Sequence, residues 1–147
     1  MPTEIKITEE ELGLMSVFQN VTGVNSRDCI IDPAGDRIIF VVEKGLMGPA
    51  IGRGGQTIMS LERVVDRAVE LVEYSDDAAE FIGNALGSRN VVDVKINSRA
   101  DGHKVAIAQT SAKNKGAVLG KGGRNAERAR ILAQRYFDIQ HIHIVTQ

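Results

Sequence analysis

The chain contains two near copies of one glycine cluster, Ile51-Gly52-Arg53-Gly54-Gly55 and Leu119-Gly120-Lys121-Gly122-Gly123. The shift from position 51 to position 119 also carries Gly48 onto Gly116, Ala50 onto Val118 and Leu61 onto Ala129. An internal repeat limits the possible folds more than composition does, because each copy must build a similar unit.

Around each cluster the same series of elements is legible. Residues 9–20 carry Leu12, Met15 and Phe18, with Leu14 nearby, at helical spacing. Cys29-Ile30-Ile31 predicts a strand, Asp32-Pro33-Ala34-Gly35-Asp36 has hairpin-turn chemistry, and 37–42 predicts a buried strand. A short helical turn over 48–51 precedes the first cluster. After it, Ile58, Leu61, Val65, Ala68 and Val72 recur at i+3/i+4 and predict an amphipathic helix, with a turn into a last strand somewhere in 71–75.

The second copy follows at once. Asp77, with Glu80 three residues on, has the pattern of a capping box. Phe81, Ile82, Ala85 and Leu86 supply a helix face and Gly87 a stop. Strands are predicted over 91–96 and 104–108, a helical turn over 115–119, and a helix over 124–137 with Ala126, Ala129, Leu132, Ala133, Tyr136 and Phe137 inward. A final strand over 139–145 closes the unit. Both copies therefore read helix, strand, strand, short helix, glycine loop, helix, strand, with domains expected at 1–75 and 76–147. Only about three residues join them, a span common between a strand and a helix and short enough to predict a nearly fixed pair.

At 43% hydrophobic and 25% charged residues the chain is expected to bury an ordinary core. Its apolar runs are too short to span a bilayer, and its acidic N-terminus does not resemble a signal peptide, so a cytoplasmic protein is expected. Cys29 is the only cysteine, which excludes an internal disulfide and a Cys-rich metal site. Charge is uneven. Positions 1–75 hold 7 Lys and Arg against 12 Asp and Glu, a net −5, whereas 76–147 hold 11 against 7, a net +4. That asymmetry suggests an anionic partner engaged mainly by the second copy.

A glycine-rich turn lets backbone approach a bulky ligand, and the helix after it offers N–H groups and partial positive charge to phosphate oxygens. Arg53 and Lys121 add a formal charge at the two tips, and Ile51 and Leu119 can line a groove floor. Other glycine-loop chemistries fit less well. A nucleotide P-loop needs four residues between its glycines and Ser or Thr after the lysine, but Gly116 to Gly120 spans three and Gly122 follows Lys121. A dinucleotide fingerprint needs a third glycine where Thr57 stands. A DNA-binding helix-hairpin-helix would place an aliphatic residue at Arg53 and Lys121 and needs no flanking strands. A plain helix cap explains one such loop better than two in matched surroundings.

Ile51-Gly-Arg-Gly-Gly-Gln-Thr-Ile58 fits the I-G-x-x-G-x-x-I signature of KH domains, and Leu119 to Ala126 fits except that Ala126 replaces the last aliphatic residue. The element order resembles type II KH domains. The pair, together with the junction SDDAAEFIGNALGS over 75–88, resembles the tandem KH region of archaeal NusA-like transcription factors over nearly the whole chain. The resemblance implies an α+β fold of two three-stranded sheets with helices packed on one side. It also implies single-stranded RNA binding in transcription elongation, termination or antitermination, and no enzymatic activity. Bacterial relatives carry further domains that these 147 residues have no room for, so contact with RNA polymerase rests on the resemblance alone. A KH protein of the ribosome or of RNA processing is the alternative.

A KH unit clamps about four nucleotides at its loop. The expected RNA-binding residues are Ile51, Gly52, Arg53, Gly54 and Gly55 in the first unit. In the second they are Lys113, Lys115, Leu119, Gly120, Lys121, Gly122, Gly123, Arg124 and Arg128. Positions 113–135 net +6, whereas the matching 45–67 net +1, so the second unit should supply more affinity. With only 4% aromatic residues, base recognition should come from edge hydrogen bonds and not from stacking. His141 and His143 alternate along the last strand and lack a third ligand nearby, so no metal and no cofactor is expected. No nucleophile–base set stands out.

Overall fold

The computed structural model describes residues 5–33 and 36–146. The chain divides into two compact units, Lys6–Tyr74 and a second made of the described residues from Ser75 on together with Ile5. In the first unit the order is α1 (Glu9–Thr22), β1 (Ser26–Ile31), β2 (Arg37–Val42), α2 (Met47–Ile51), a 3-10 turn (Arg53–Gly55), α3 (Gln56–Val65) and β3 (Ala68–Glu73). In the second it is α4 (Ala78–Leu86), a 3-10 turn (Ser88–Asn90), β4 (Asp93–Ser98), β5 (Lys104–Thr110), α5 (Lys115–Leu119), a 3-10 turn (Lys121–Gly123), α6 (Arg124–Phe137) and β6 (Ile139–Thr146). The predicted turn at 32–36 falls partly outside the described residues, at Ala34 and Gly35.

The two sheets have one topology. β2 is central, antiparallel to β1 and parallel to β3, with Cys29 opposite Phe40 and Phe40 opposite Leu71. β5 is likewise antiparallel to β4 and parallel to β6. Parallel neighbours cannot be joined by a tight turn and need a crossover. In each unit that crossover is the short helix, glycine turn and long helix, which fixes the loop beside its own sheet.

In the first unit Ile38, Phe40 and Val42 share one face of β2 and pack with Phe18, Cys29, Ala50, Leu61 and Val69. The Phe18 and Phe40 rings lie 4.5 Å apart. All six β2 residues are buried, Arg37 included. Arg37 is tolerated there because Asp32 and Glu70 accept from its guanidinium at 2.6 and 2.8 Å. In the second unit Phe81 of α4 meets Tyr136 and Phe137 of α6 edge to face, at 5.2 and 6.0 Å. Val118, Ala129, Leu132, Ala133 and Ile139 complete that core.

Several boundaries differ from the sequence expectations. The helix predicted through Ala68 and Val72 stops at Val65, where Asp66 turns left-handed at φ 55°. Ala68 and Val72 are strand residues paired with Arg37 and Val41. A period-two strand following directly on a helix had mimicked continued helical spacing. Leu12 lies on the exposed side of α1, not in the core. The second-unit helix α6 ends in the same way, at Asp138 with φ 56°, but is 14 residues long against 10 for α3. The difference of four is close to one helical turn and keeps the same face inward.

Candidate nucleic-acid interface

The two glycine loops superpose residue by residue in backbone angle. Gly52 and Gly120 have φ/ψ of 78/169° and 77/168°; Gly54 and Gly122 have 61/21° and 65/20°; Gly55 and Gly123 have 77/13° and 77/17°. The Gly52 N–H donates to Gly48 O at 2.9 Å and Gly120 N–H to Gly116 O at 3.0 Å. The first glycine of each loop takes a conformation open to almost no other residue. It is also crowded. A Cβ at Gly52 would stand 2.1 Å from Thr57 Oγ1, and one at Gly120 would stand 2.8 Å from Asn125 Cγ.

Thr57 and Asn125 occupy corresponding positions of the repeat. Asn125 Nδ2 also donates to Ala117 O at 3.1 Å, which ties the start of α6 back to α5. Neither residue was singled out from the sequence, although a polar residue at the same offset in both copies was the available signal.

Helix capping separates the elements by role. α1 begins with a complete capping box between Thr8 and Glu11, and Asp77 caps α4 by accepting from Ala79 N–H at 3.1 Å. α3 and α6, the helices entered from the glycine loops, have Gly55 and Gly123 at the N-cap and no side-chain cap. The Gln56 and Arg124 N–H groups donate to Arg53 O and Lys121 O, and the N–H groups after them have no side-chain cap of the kind that α1 and α4 have, beside a loop whose one side chain is Arg53 or Lys121.

The expected site residues fall into distinct groups. Arg53, Gly54, Lys121 and Gly122 are exposed at the tips, and Ile51 and Leu119 are half-buried at the ends of α2 and α5. Lys113 and Lys115 are exposed at the entrance to α5, about 7 Å of helix from the loop. Arg124 is the first residue of α6. Arg128 is engaged within the unit: its Nε and Nη2 donate to Ala85 O at 2.9 and 2.6 Å, closing the C-terminal end of α4. Arg130 is bonded to Glu127, which pushes its guanidinium pKa up. No acidic side chain lies at either loop tip in the sequence.

His141 and His143 are exposed on one face of β6, with rings 6.4 Å apart. His103 pairs with Asp101 at 3.0 Å, and its backbone N–H chiefly holds the Asp101 carboxyl below the usual carboxylate range. Among the described residues no group of three or more His, Cys, Asp or Glu could hold a metal, and no helix is long and apolar enough to cross a membrane.

A sequence profile for the KH domain matches residues 14–99, from within α1 to the end of β4. A protein named "Probable transcription termination protein NusA" from Halobacterium salinarum is 37% identical over 140 residues, covering 95% of this chain and 98% of that one. The chain belongs to the NusA family of KH proteins. A protein of the same name from Methanocaldococcus jannaschii is 31% identical, covering 98% of this chain and 77% of its own length. The crystal structure of APE1850 aligns with a TM-score of 0.84 at 37% identity, over 95% of this chain and 100% of the other. The strands flanking both loops and the NusA match displace the helix-hairpin-helix alternative.

Proposed function

We propose that this NusA-family chain binds single-stranded RNA through its two glycine loops and acts in transcription termination or antitermination. The observation that carries it is the pair of loops with matched backbone angles, each opening a helix that has no side-chain cap. A phosphate oxygen supplies an acceptor where no side-chain cap stands, and the glycines let the sugar-phosphate strand come close. The names of the relatives, transcription termination protein and, for a Mycobacterium tuberculosis protein 28% identical over 86% of this chain, transcription termination/antitermination protein, support the role.

The contact set is Ile51 to Gly55 and Leu119 to Arg124, joined in the second unit by Lys113 and Lys115. Domain limits of 1–75 and 76–147 give each unit one loop. Arg128 has the weakest claim, because its guanidinium already closes α4. The protein is read as a cytoplasmic binding protein without catalytic activity, and contact with RNA polymerase follows from family membership alone.

The second unit should dominate affinity, since 113–135 net +6 against +1 in the matching window of the first. Lys121→Asp and Arg53→Asp, titrated separately against single-stranded RNA, test this. The expected result is a larger loss for Lys121→Asp; equal losses would remove the asymmetry, and no loss from either would remove the loops from the interface.

A further inference from the structure

The two loops rest at the same backbone angles, yet different contacts hold them there. Gly120, Gly122 and Gly123 leave the second loop with a great deal of backbone freedom to lose on binding. A side chain closes across it. Asn125, the second residue of α6, donates from Nδ2 to Ala117 O at 3.1 Å, in the last turn of α5, where carbonyls lack a helical donor. This brace joins the helix before the loop to the helix after it. Asn125 Oδ1 turns toward Gly120, 3.0 Å from where a Cβ would stand, so the brace requires the bare glycine. Three residues on, Arg128 holds α6 to Ala85 O of α4 at 2.9 and 2.6 Å.

The first unit has neither tie at the corresponding positions. Thr57 takes the place of Asn125; its Oγ1 stops beside Gly52, and among the described residues it makes no side-chain bond to α2. Ser60 takes the place of Arg128 and turns its hydroxyl to Gln56 O of its own helix at 3.0 Å. Pro49 fixes φ at one residue of α2, which stiffens that helix but spans no part of the loop.

We infer that Asn125 is a positioning residue for RNA. It holds Gly120 to Gly123 in place before the RNA arrives, whereas the first loop keeps a freedom that binding must remove. The inference rests on the RNA-binding reading of the loops and adds that part of the second unit's advantage is independent of charge. Affinity from cations falls with salt, because counterions are released. Affinity from preorganisation does not, because it reduces the ordering that binding demands.

The test uses the full chain. In the RNA-free protein, NMR relaxation should show the Gly122 and Gly123 amides more ordered than those of Gly54 and Gly55, and Asn125→Ala should remove the difference. Anisotropy titrations with single-stranded RNA should show Asn125→Ala binding roughly three- to tenfold more weakly, by one factor at every salt concentration. Thr57→Asn supplies the missing carboxamide near Pro49 O; it should order Gly54 and Gly55 and tighten binding roughly two- to fivefold. A residue that served stability alone would give no such gain, and Thr57→Asn decides the matter if circular dichroism shows Asn125→Ala unfolded. Equal order in the two parent loops would overturn the inference. So would a folded Asn125→Ala protein that binds like the parent, a loss that shrinks with salt, or a Thr57→Asn protein whose first loop is ordered without tighter binding. Each of these leaves the RNA-binding reading standing while Lys121→Asp still weakens binding; that reading fails separately, if neither Lys121→Asp nor Arg53→Asp loses affinity.

Discussion

Replacing Gly122 by Asp separates folding from binding more cleanly than any other change at the loops. The glycine has φ 65° and ψ 20°, and a Cβ there meets nothing within 4 Å. Asp can adopt this region, and the chain itself holds Asp66 and Asp138 at φ 55° and 56°. The conformational cost is therefore about 1 kcal/mol, and the fold should survive. Binding should not. A carboxylate about 5 Å from a bound phosphate, at an effective dielectric of about 20 to 40, opposes it by about 2–3 kcal/mol. That corresponds to roughly 30- to 150-fold in affinity. Losing one phosphate contact should also reduce the magnitude of the salt slope by about 0.7. Circular dichroism would verify folding, and anisotropy titrations of labelled single-stranded RNA at several salt concentrations would give both quantities. Gly54→Asp has the same open surroundings and φ 61°, and should cost less because its window is less basic. A folded Gly122→Asp protein that binds within about twofold of the parent would refute phosphate binding at that loop.

Three further outcomes follow from single contacts. Gly120→Ala puts a methyl 2.8 Å from Asn125 Cγ and 2.9 Å from its backbone N, at φ 77°, and should destabilise the protein by about 2–3 kcal/mol in urea unfolding. Adding Asn125→Ala should not restore stability, since the backbone clash remains. Arg128→Met removes two bonds to Ala85 O and should lower stability by about 1.5–3 kcal/mol while leaving the RNA salt slope unchanged; a slope reduced by about 0.7 would instead make Arg128 a phosphate contact. Arg37→Met removes the guanidinium that Asp32 and Glu70 share beside a buried strand and should cost about 3 kcal/mol in the same unfolding assay.

The repeat, the order of elements and the place of the glycine loops could all be read from the residues, because they rest on local chemistry. Hydrophobic spacing marked α6 over 124–137 and β2 over 37–42 with the observed bounds. Asp77 announced its cap, Gly87 its stop, and the glycine clusters the turns that only glycine makes freely. Where helix met strand within two residues, as at Asp66, the four-residue step from Ala68 to Val72 fitted both a helix and a strand. Parallel pairing with β2 decided between them.

The sequence determined that two similar units would form, and which segments would carry backbone bare enough to approach a phosphate. Tertiary structure alone decided how the side chains are spent. Arg128 looked like one more cation on a basic helix until packing put it on Ala85, 43 residues away. Arg37 is tolerable inside because Asp32, five residues back, is joined by Glu70, which β3 brings across from 33 residues on. Leu12 took the outer side of a helix whose apolar positions exceed one face. These outcomes depend on which surfaces meet when the chain closes, and no local propensity encodes a partner that distant along the chain.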